Sequence, residues 1–378
     1  MKRILFLFNV GRIERLGTEC PNEFFYGALD FDPNRFRVRM LGPHPPSQGL
    51  IGECGTVHPL PAMLRRMTVW LKQNRLSALI FVTRMVQIVF AGRHAVRDTD
   101  LIVAVTSPWI FALNVLRRLA IVNTPFVGIA FGPFRAPKGA KGHAAALVRR
   151  ALFRGATVIF TGEADRENYL AHIGGRRDDT RLMYFGVDEN FWRPDRAAAG
   201  DYVFAIGSAF RDYGTLLAAW RDCRTKLKIV AANLEAPPGT PDNVEIISGI
   251  WHSSDLSDSD IRALFQGARY VITPLHDTSR PAGQSATLQA MACGKAVILS
   301  KISGLWDPQT MVHLENCYLV TPGDVAALRS AIDYFESRPD EAARIGANAR
   351  ATVEQHYTTA IFTHQLEDFA EAMLETSR

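Results

Sequence analysis

The fold class predicted for this chain is α/β, built as two doubly wound parallel-sheet domains. Short apolar runs bounded by turn residues alternate with longer amphipathic stretches, which is the pattern of strands crossing over through helices. That alternation starts afresh near residue 198. The length of 378 residues also suits two domains at roughly 150 residues each. With 47% hydrophobic and 21% charged residues the chain is globular, and disorder, collagen and coiled coil are excluded.

In the first half the strand candidates are 4–8, 36–41, 101–105, 125–130, 157–161 and 181–185. In the second they are 202–206, 228–232, 244–247, 270–273, 296–299 and 317–320. The stretch 186–201, with FWRPDRAAAGD at its centre, reads as the connector between domains. Three long helices close the chain at 324–337, 340–355 and 359–376, the first with Asp324 as its N-cap. Five scattered cysteines without a CxxC pair argue against a disulfide framework or a structural zinc and for a reducing compartment. The opening MKRILFLF is too short for a signal-peptide core and reads as a first strand. No apolar stretch reaches the ~20 residues of a spanning helix, Arg84 splitting the best candidate. These features lead us to expect a cytoplasmic protein.

The net charge of +5 conceals an asymmetry. Residues 54–162 hold fifteen bases and two acids (Asp98 and Asp100), an excess of thirteen, so the rest of the chain sums to −8. Such a split speaks of partners: nucleic acid, an anionic membrane leaflet or an acidic substrate. Between residues 62 and 97 the bases are interleaved with large apolar residues such as Met63, Trp70, Phe81 and Ile88, as in basic amphipathic helices that lie on a membrane. No nucleic-acid motif accompanies the charge. An anionic membrane surface docked through residues 62–97 is therefore the expected partner.

Two stretches carry the chemistry. Residues 279–306 read as loop, helix, glycine stop and buried strand, with Gly283, Gln284 and Ser285 turning into a helix that runs to Cys293. Gly294 takes the left-handed terminus. Backbone amides at such a helix start bind phosphate. Residues 205–220 place Arg211 in the turn at the carboxyl end of a strand. An arginine there can clamp a diphosphate and stabilise charge building on it, unless it pairs with its neighbour Asp212.

In order and spacing, GVDENFWRP (186–194), GSAFRDYGTLLAAW (207–220), VEIISGIW (244–251), QAMACGKAVI (289–298) and ENCYLVTPGDVAALRSAI (315–332) resemble the retaining GT-B glycosyltransferases of the large bacterial family that uses sugar nucleotides (family 4, group 1). The match covers 155–378; residues 1–154 match in layout. The resemblance implies GT-B architecture, two Rossmann-like doubly wound domains facing across a cleft. These would be an acceptor-binding domain at 1–190, a nucleotide-sugar-binding domain at 198–360 and a C-terminal helix at 361–378 returning to the first domain. It further implies hexosyl transfer with retention, no bound metal or cofactor, and a leaving diphosphate that helps deprotonate the acceptor. Arg211 would be the catalytic residue. Gly207, Ser208, Ile250, Trp251, Arg280, Gly283, Gln284, Ser285, Ala286 and Gln289 would join it around the donor. Gly11, Arg12, Phe131, Arg135 and His143, the last two in the loop GPFRAPKGAKGH, would lie on the acceptor side.

The departures from the family pattern are specific. Its two glutamates, eight residues apart, are here Pro281 and Gln289, which moves sugar recognition toward Arg280, His276 or Asp277. The usual glycine–arginine pair after the first strand reads Gly207–Ser208, and the usual cleft histidine is replaced by Phe131–Gly132. The acceptor expected from the basic, apolar first domain is lipid-linked or membrane-proximal, in cell-surface polysaccharide or glycolipid synthesis at the inner face of the membrane. A degenerate sugar-nucleotide-binding scaffold and a soluble glycosyltransferase with an acidic acceptor are the alternative readings.

Overall fold

The structure is a computed structural model that describes residues 1–9, 12–42, 62–73, 79–90, 93–132, 134, 136–195, 200–232, 234–249 and 256–376. The chain forms two compact units. One comprises Met1–Thr161, Asp165–Met183 and Phe362–Arg378; the other comprises Gly162–Ala164 and Tyr184–Ile361.

The first unit contains β1 (Lys2–Leu7), β2 (Phe36–Leu41), α1 (Ala62–Gln73), α2 (Ile80–Phe90), α3 (Arg93–Arg97), β3 (Leu101–Val105), α4 (Ser107–Arg118), β4 (Phe126–Ile129), α5 (Gly139–Phe153), β5 (Thr157–Phe160), α6 (Glu163–His172) and β6 (Thr180–Leu182). Its six strands form one parallel sheet in the order β2-β1-β3-β4-β5-β6. Every residue of β3 and β4 is buried, as expected of parallel strands covered on both faces. Trp109 of α4 donates its indole N–H to the Phe8 carbonyl at 3.0 Å and so locks this helix against the end of β1. The charged stretch becomes α1, α2 and α3. Met63, Val69 and Trp70 of α1 and Val82 of α2 are exposed, while Arg84, one of the fifteen bases, is buried inside the unit. On α5 Phe153 is buried, and Leu147 and Val148 face out.

The second unit repeats the theme with β7 (Tyr202–Ile206), α7 (Tyr213–Ala219), β8 (Lys226–Ala231), β9 (Val244–Ser248), α8 (Asp258–Gly267), β10 (Ala268–Thr273), α9 (Gln284–Ala292), β11 (Val297–Ser300), β12 (Tyr318–Val320), α10 (Val325–Ser337) and α11 (Pro339–His356). The parallel order is β12-β11-β10-β7-β8-β9. Asp324 caps α10, its carboxylate accepting from the Ala327 amide at 2.9 Å. The last helix, α12 (Thr359–Thr376), lies from Phe362 onward in the first unit. There Glu367 accepts from the Asp32 amide at 2.6 Å and Arg35 pairs with Glu371 at 2.6 Å.

All twelve strands stand where the apolar runs placed them: β2, β3 and β7 have the expected bounds, and the ends of the others shift by at most three residues. The largest shift is in the sixth, expected at 181–185 and found at Thr180–Leu182. The expected connector behaves differently from a linker. Phe191 and Trp192 are buried in the second unit's core, and Arg350 of α11 donates to the carbonyls of Glu189, Trp192 and Ala292 at 3.0, 3.0 and 2.7 Å. One guanidinium thus ties the segment down by satisfying three backbone oxygens. Among the described residues no helix is long and apolar enough to cross a membrane.

Candidate active site

In the second sheet the winding direction reverses beside β7: β8 and β9 lie on one side, β10, β11 and β12 on the other. The carboxyl ends of β7 and β10 therefore flank the crevice in which ligands of doubly wound sheets bind. The two loops that leave these strands are joined. Asp212 donates its amide to the Pro274 carbonyl at 3.0 Å, His276 donates to the Phe210 carbonyl at 3.0 Å, and Arg211 bridges Leu275. A short antiparallel contact thus fixes the 210–212 turn against 274–276.

Arg211 is half-buried. Its Nε donates to the Ile206 carbonyl at 2.8 Å and one terminal nitrogen donates to the Ala209 carbonyl at 3.2 Å. Its guanidinium lies against Gly207, which has φ +112, so a Cβ there would be strained and would displace the arginine. Burial pulls the Arg211 pKa down from its ordinary value, yet an arginine keeps its charge. The expected alternative, a surface pair with Asp212, does not form. Asp212 caps α7 instead, its carboxylate accepting from the Thr215 amide and hydroxyl at 3.0 and 2.7 Å, with His276 at 3.4 Å. Among the described residues no carboxylate pairs with Arg211, whose hydrogen bonds go to the Ile206 and Ala209 carbonyls.

The helix start expected at 283–286 is present. Gly283 is the N-cap of α9 at φ +77 and makes no side-chain cap. A Cβ at this position would press on Leu275 and Thr273, so the glycine meets a conformational and a steric need at once. Ser285 is exposed, whereas Gln284, Ala286 and Gln289 are buried along α9. Gly294 ends this segment at φ +71. Arg280 lies over the Phe210 ring at 5.2 Å, which brings a second guanidinium beside the Arg211 turn. Asp277 is spent on the 303 turn, accepting from the Ser303 amide at 2.7 Å, and Pro281 rests against Gly162. The Ser208 hydroxyl accepts from the Ala232 amide at 2.7 Å. Ile250 and Trp251 lie outside the described residues.

Two members of this site carried no signal in the sequence. Phe210, at φ +60, is the platform for Arg280. Tyr213 donates to the Gly207 carbonyl at 2.6 Å and fixes that turn, its own pKa pushed up to about 12 by burial.

In the first unit the guanidinium of Arg12 lies over the rings of Phe24 and Tyr26 at 5.2 and 5.3 Å, and Phe131 stands 6.0 Å from Tyr26. Arg12 and Phe131 are thus brought together through one tyrosine. His143, expected in a loop, is in the first turns of α5. There its Nδ1 lies 2.9 Å from the Gly139 carbonyl and the ring is exposed. The helix begins earlier than expected because Gly139, at φ +64, turns the chain into it. Gly11 and Arg135 fall outside the described residues.

Comparison with known proteins agrees with this layout. Residues 214–368 match a family described as glycosyl transferase-like. Similar solved structures include a sucrose-phosphate synthase from Thermosynechococcus elongatus, with TM-score 0.75, 17% identity and 100% of both chains covered. HepE from Anabaena, in complex with UDP and glucose, has TM-score 0.70 and 20% identity over 98% of this chain and 100% of that one. A trehalose 6-phosphate synthase from Burkholderia multivorans has TM-score 0.74 and 13% identity, with 100% of each chain covered. Comparison with curated protein sequences returns no match. The solved structures share this architecture, the GT-B fold of two Rossmann-like domains. Within the chain it is residues 214–368 that carry the glycosyl transferase-like family domain.

Gly207→Ala is expected to displace Arg211 and to cost about 1–3 kcal/mol through strain and overpacking. Gly239→Ala isolates the backbone contribution, because Gly239 has φ +81 with nothing within 4 Å of a Cβ; it should cost about 1 kcal/mol. Chemical denaturation of the two variants, followed by second-unit fluorescence, checks the difference.

Proposed function

We propose that the chain transfers a hexose from a nucleoside diphosphate sugar to an acceptor, with retention of configuration at the anomeric carbon. The observation that carries this reading is Arg211, a cation whose partners among the described residues are carbonyl oxygens and no carboxylate, at the reversal point of the second sheet. Its neighbours there are Arg280 and the glycine start of α9. A diphosphate fits those three features: two guanidinium groups to pair with its oxygens and a helix start whose dipole favours negative charge.

As the bond from the anomeric carbon to the diphosphate oxygen breaks, negative charge grows on that oxygen. A prepositioned guanidinium stabilises the charge without having to reorganise. The departing diphosphate in turn takes the proton of the acceptor hydroxyl, which makes a separate protein base unnecessary. Neither step calls for a metal, since the cationic work falls to Arg211 and Arg280. HepE, solved with UDP and glucose, supports uridine as the base and glucose as a candidate sugar.

The acceptor we propose is lipid-linked or membrane-proximal, and the protein a cytoplasmic enzyme resting on the inner membrane face. Support comes from exposed Met63, Arg66, Val69 and Trp70 on α1 and Val82 on α2, together with the excess of bases over acids in residues 54–162. Apolar side chains beside cations suit a headgroup boundary, where each base adds about 1 kcal/mol.

A panel of nucleoside diphosphates tests the donor site. A ligand at a hundredfold excess over its Kd stabilises the folded form by about 2.7 kcal/mol, so UDP should raise the melting temperature clearly; no response to any of UDP, GDP, ADP or TDP contradicts the reading. The membrane assignment is checked by co-sedimentation with vesicles rich in anionic lipid, which attract basic surfaces, against neutral vesicles. Arg66→Glu with Trp70→Ser should lower the bound fraction several-fold, and unchanged partitioning contradicts it.

A further inference from the structure

The first sheet also reverses its winding, with β2 on one side of β1 and β3 on the other. The carboxyl ends of β1 and β3 thus flank a second crevice of the kind that holds ligands. Asn9, two residues beyond β1, donates its side-chain amide to the Thr106 hydroxyl at 2.8 Å. Thr106 is the first residue beyond β3. Its φ of +93 is a conformation that a β-branched residue holds only under strain, and such strain gathers at functional sites. Although Thr106 is the N-cap of α4, its side chain caps none of that helix's amides.

Arg84 of α2 enters this crevice and is only 3% exposed. One terminal nitrogen donates to the Asn9 side-chain oxygen at 3.4 Å, and the other donates to the Gln87 side-chain oxygen at 3.3 Å. Gln87 is itself held by the Gly42 carbonyl, one residue beyond β2, at 3.1 Å. The guanidinium lies 4.9 Å over the ring of Trp109, and its Nε is buried with no partner at all. All these partners are neutral, and among the described residues no carboxylate pairs with Arg84. Desolvation with no opposing anion brings its pKa down to about 10. Burying a cation in this way costs several kcal/mol unless something compensates it.

We propose that the crevice between β1 and β3 is an oxyanion site in which Arg84 and Asn9, beside the start of α4, hold a phosphate or carboxylate group. The idle Nε and the long, weak bonds of the two terminal nitrogens are donors that a trigonal oxyanion face would take up. In the glycosyltransferase reading, on which only the identity of the anion's carrier rests, that group belongs to the acceptor.

The test uses the full chain saturated with UDP, so that the donor site is filled, at constant ionic strength. Inorganic phosphate is titrated and followed by its 31P line width, with acetate as competitor. Phosphate that persists against acetate marks a phosphate carrier, and displacement by acetate marks a carboxylate carrier. Asn9→Asp gives Arg84 an internal carboxylate in the same place. It should leave the protein folded and weaken phosphate binding at least tenfold, as Arg84→Gln should. If wild type binds neither anion, or if Asn9→Asp binds phosphate as wild type does, the proposal is overturned. Should UDP itself fail to bind, the same titration on Arg211→Ala decides this site independently of the donor reading.

Discussion

Both sheets are wound outward from their first strand in two directions, and at that strand the covering helices diverge. Beside β7 and beside β1 the chain leaves the sheet and turns at a point where the winding direction changes. The placement of every chemically interesting side chain follows from that. In the second unit the turns after β7 and β10 cross-link through Asp212, Phe210 and Leu275, and the cross-link sets where Arg211 can point. The rest of the second unit, from the Arg350 tie on the 186–195 segment to the packing of α11, supports the backbone from which these turns start.

The electrostatic consequence is a cation kept ready for use. A surface arginine paired with a carboxylate is nearly neutral to an incoming anion, which must first displace the partner. Arg211 has given its hydrogen bonds to Ile206 and Ala209 carbonyls, which orient it without cancelling its charge. The cost is carried locally. Phe210 takes φ +60, Gly207 supplies φ +112 as only glycine does readily, and Tyr213 holds the Gly207 carbonyl in place. Arg84 repeats the arrangement in the first unit with side-chain amide oxygens in place of carbonyls and strain at Thr106. Two unrelated loops thus reach the same arrangement, a guanidinium oriented by neutral acceptors.

The architecture was legible because parallel strands covered on both faces must be apolar along their whole length. Runs such as LIVAV and YVFAI can hardly be read otherwise, and Gly283 and Gly294 bracket α9 as their backbone freedom demands. What escaped was tertiary. Nothing in the sequence reports that the Phe210 backbone secures the arginine turn, because its partner His276 lies more than sixty residues away, and the Tyr213 hydroxyl reaches the Gly207 carbonyl, six residues back, only through the turn geometry. Arg84 read as an interruption of an apolar run and as one base among fifteen, since sequence alone does not tell a buried base from a solvated one. Trp192 was hidden in a stretch whose proline and polar residues suggest a connector, and its burial depends on Arg350 far along the chain.

The central claim is that Arg211 acts on the departing diphosphate. It is tested most directly by comparing kcat and KM for the donor in Arg211→Ala and in wild type, with hydrolysis or transfer of UDP-glucose as the assay. Loss of one preorganised donor to a developing charge lowers kcat by about 10²–10³-fold. The account predicts a drop of that order with KM changed far less, the mark of an interaction made in the transition state. A rise in KM with kcat intact would contradict it, since Arg211 would then merely hold the ground state.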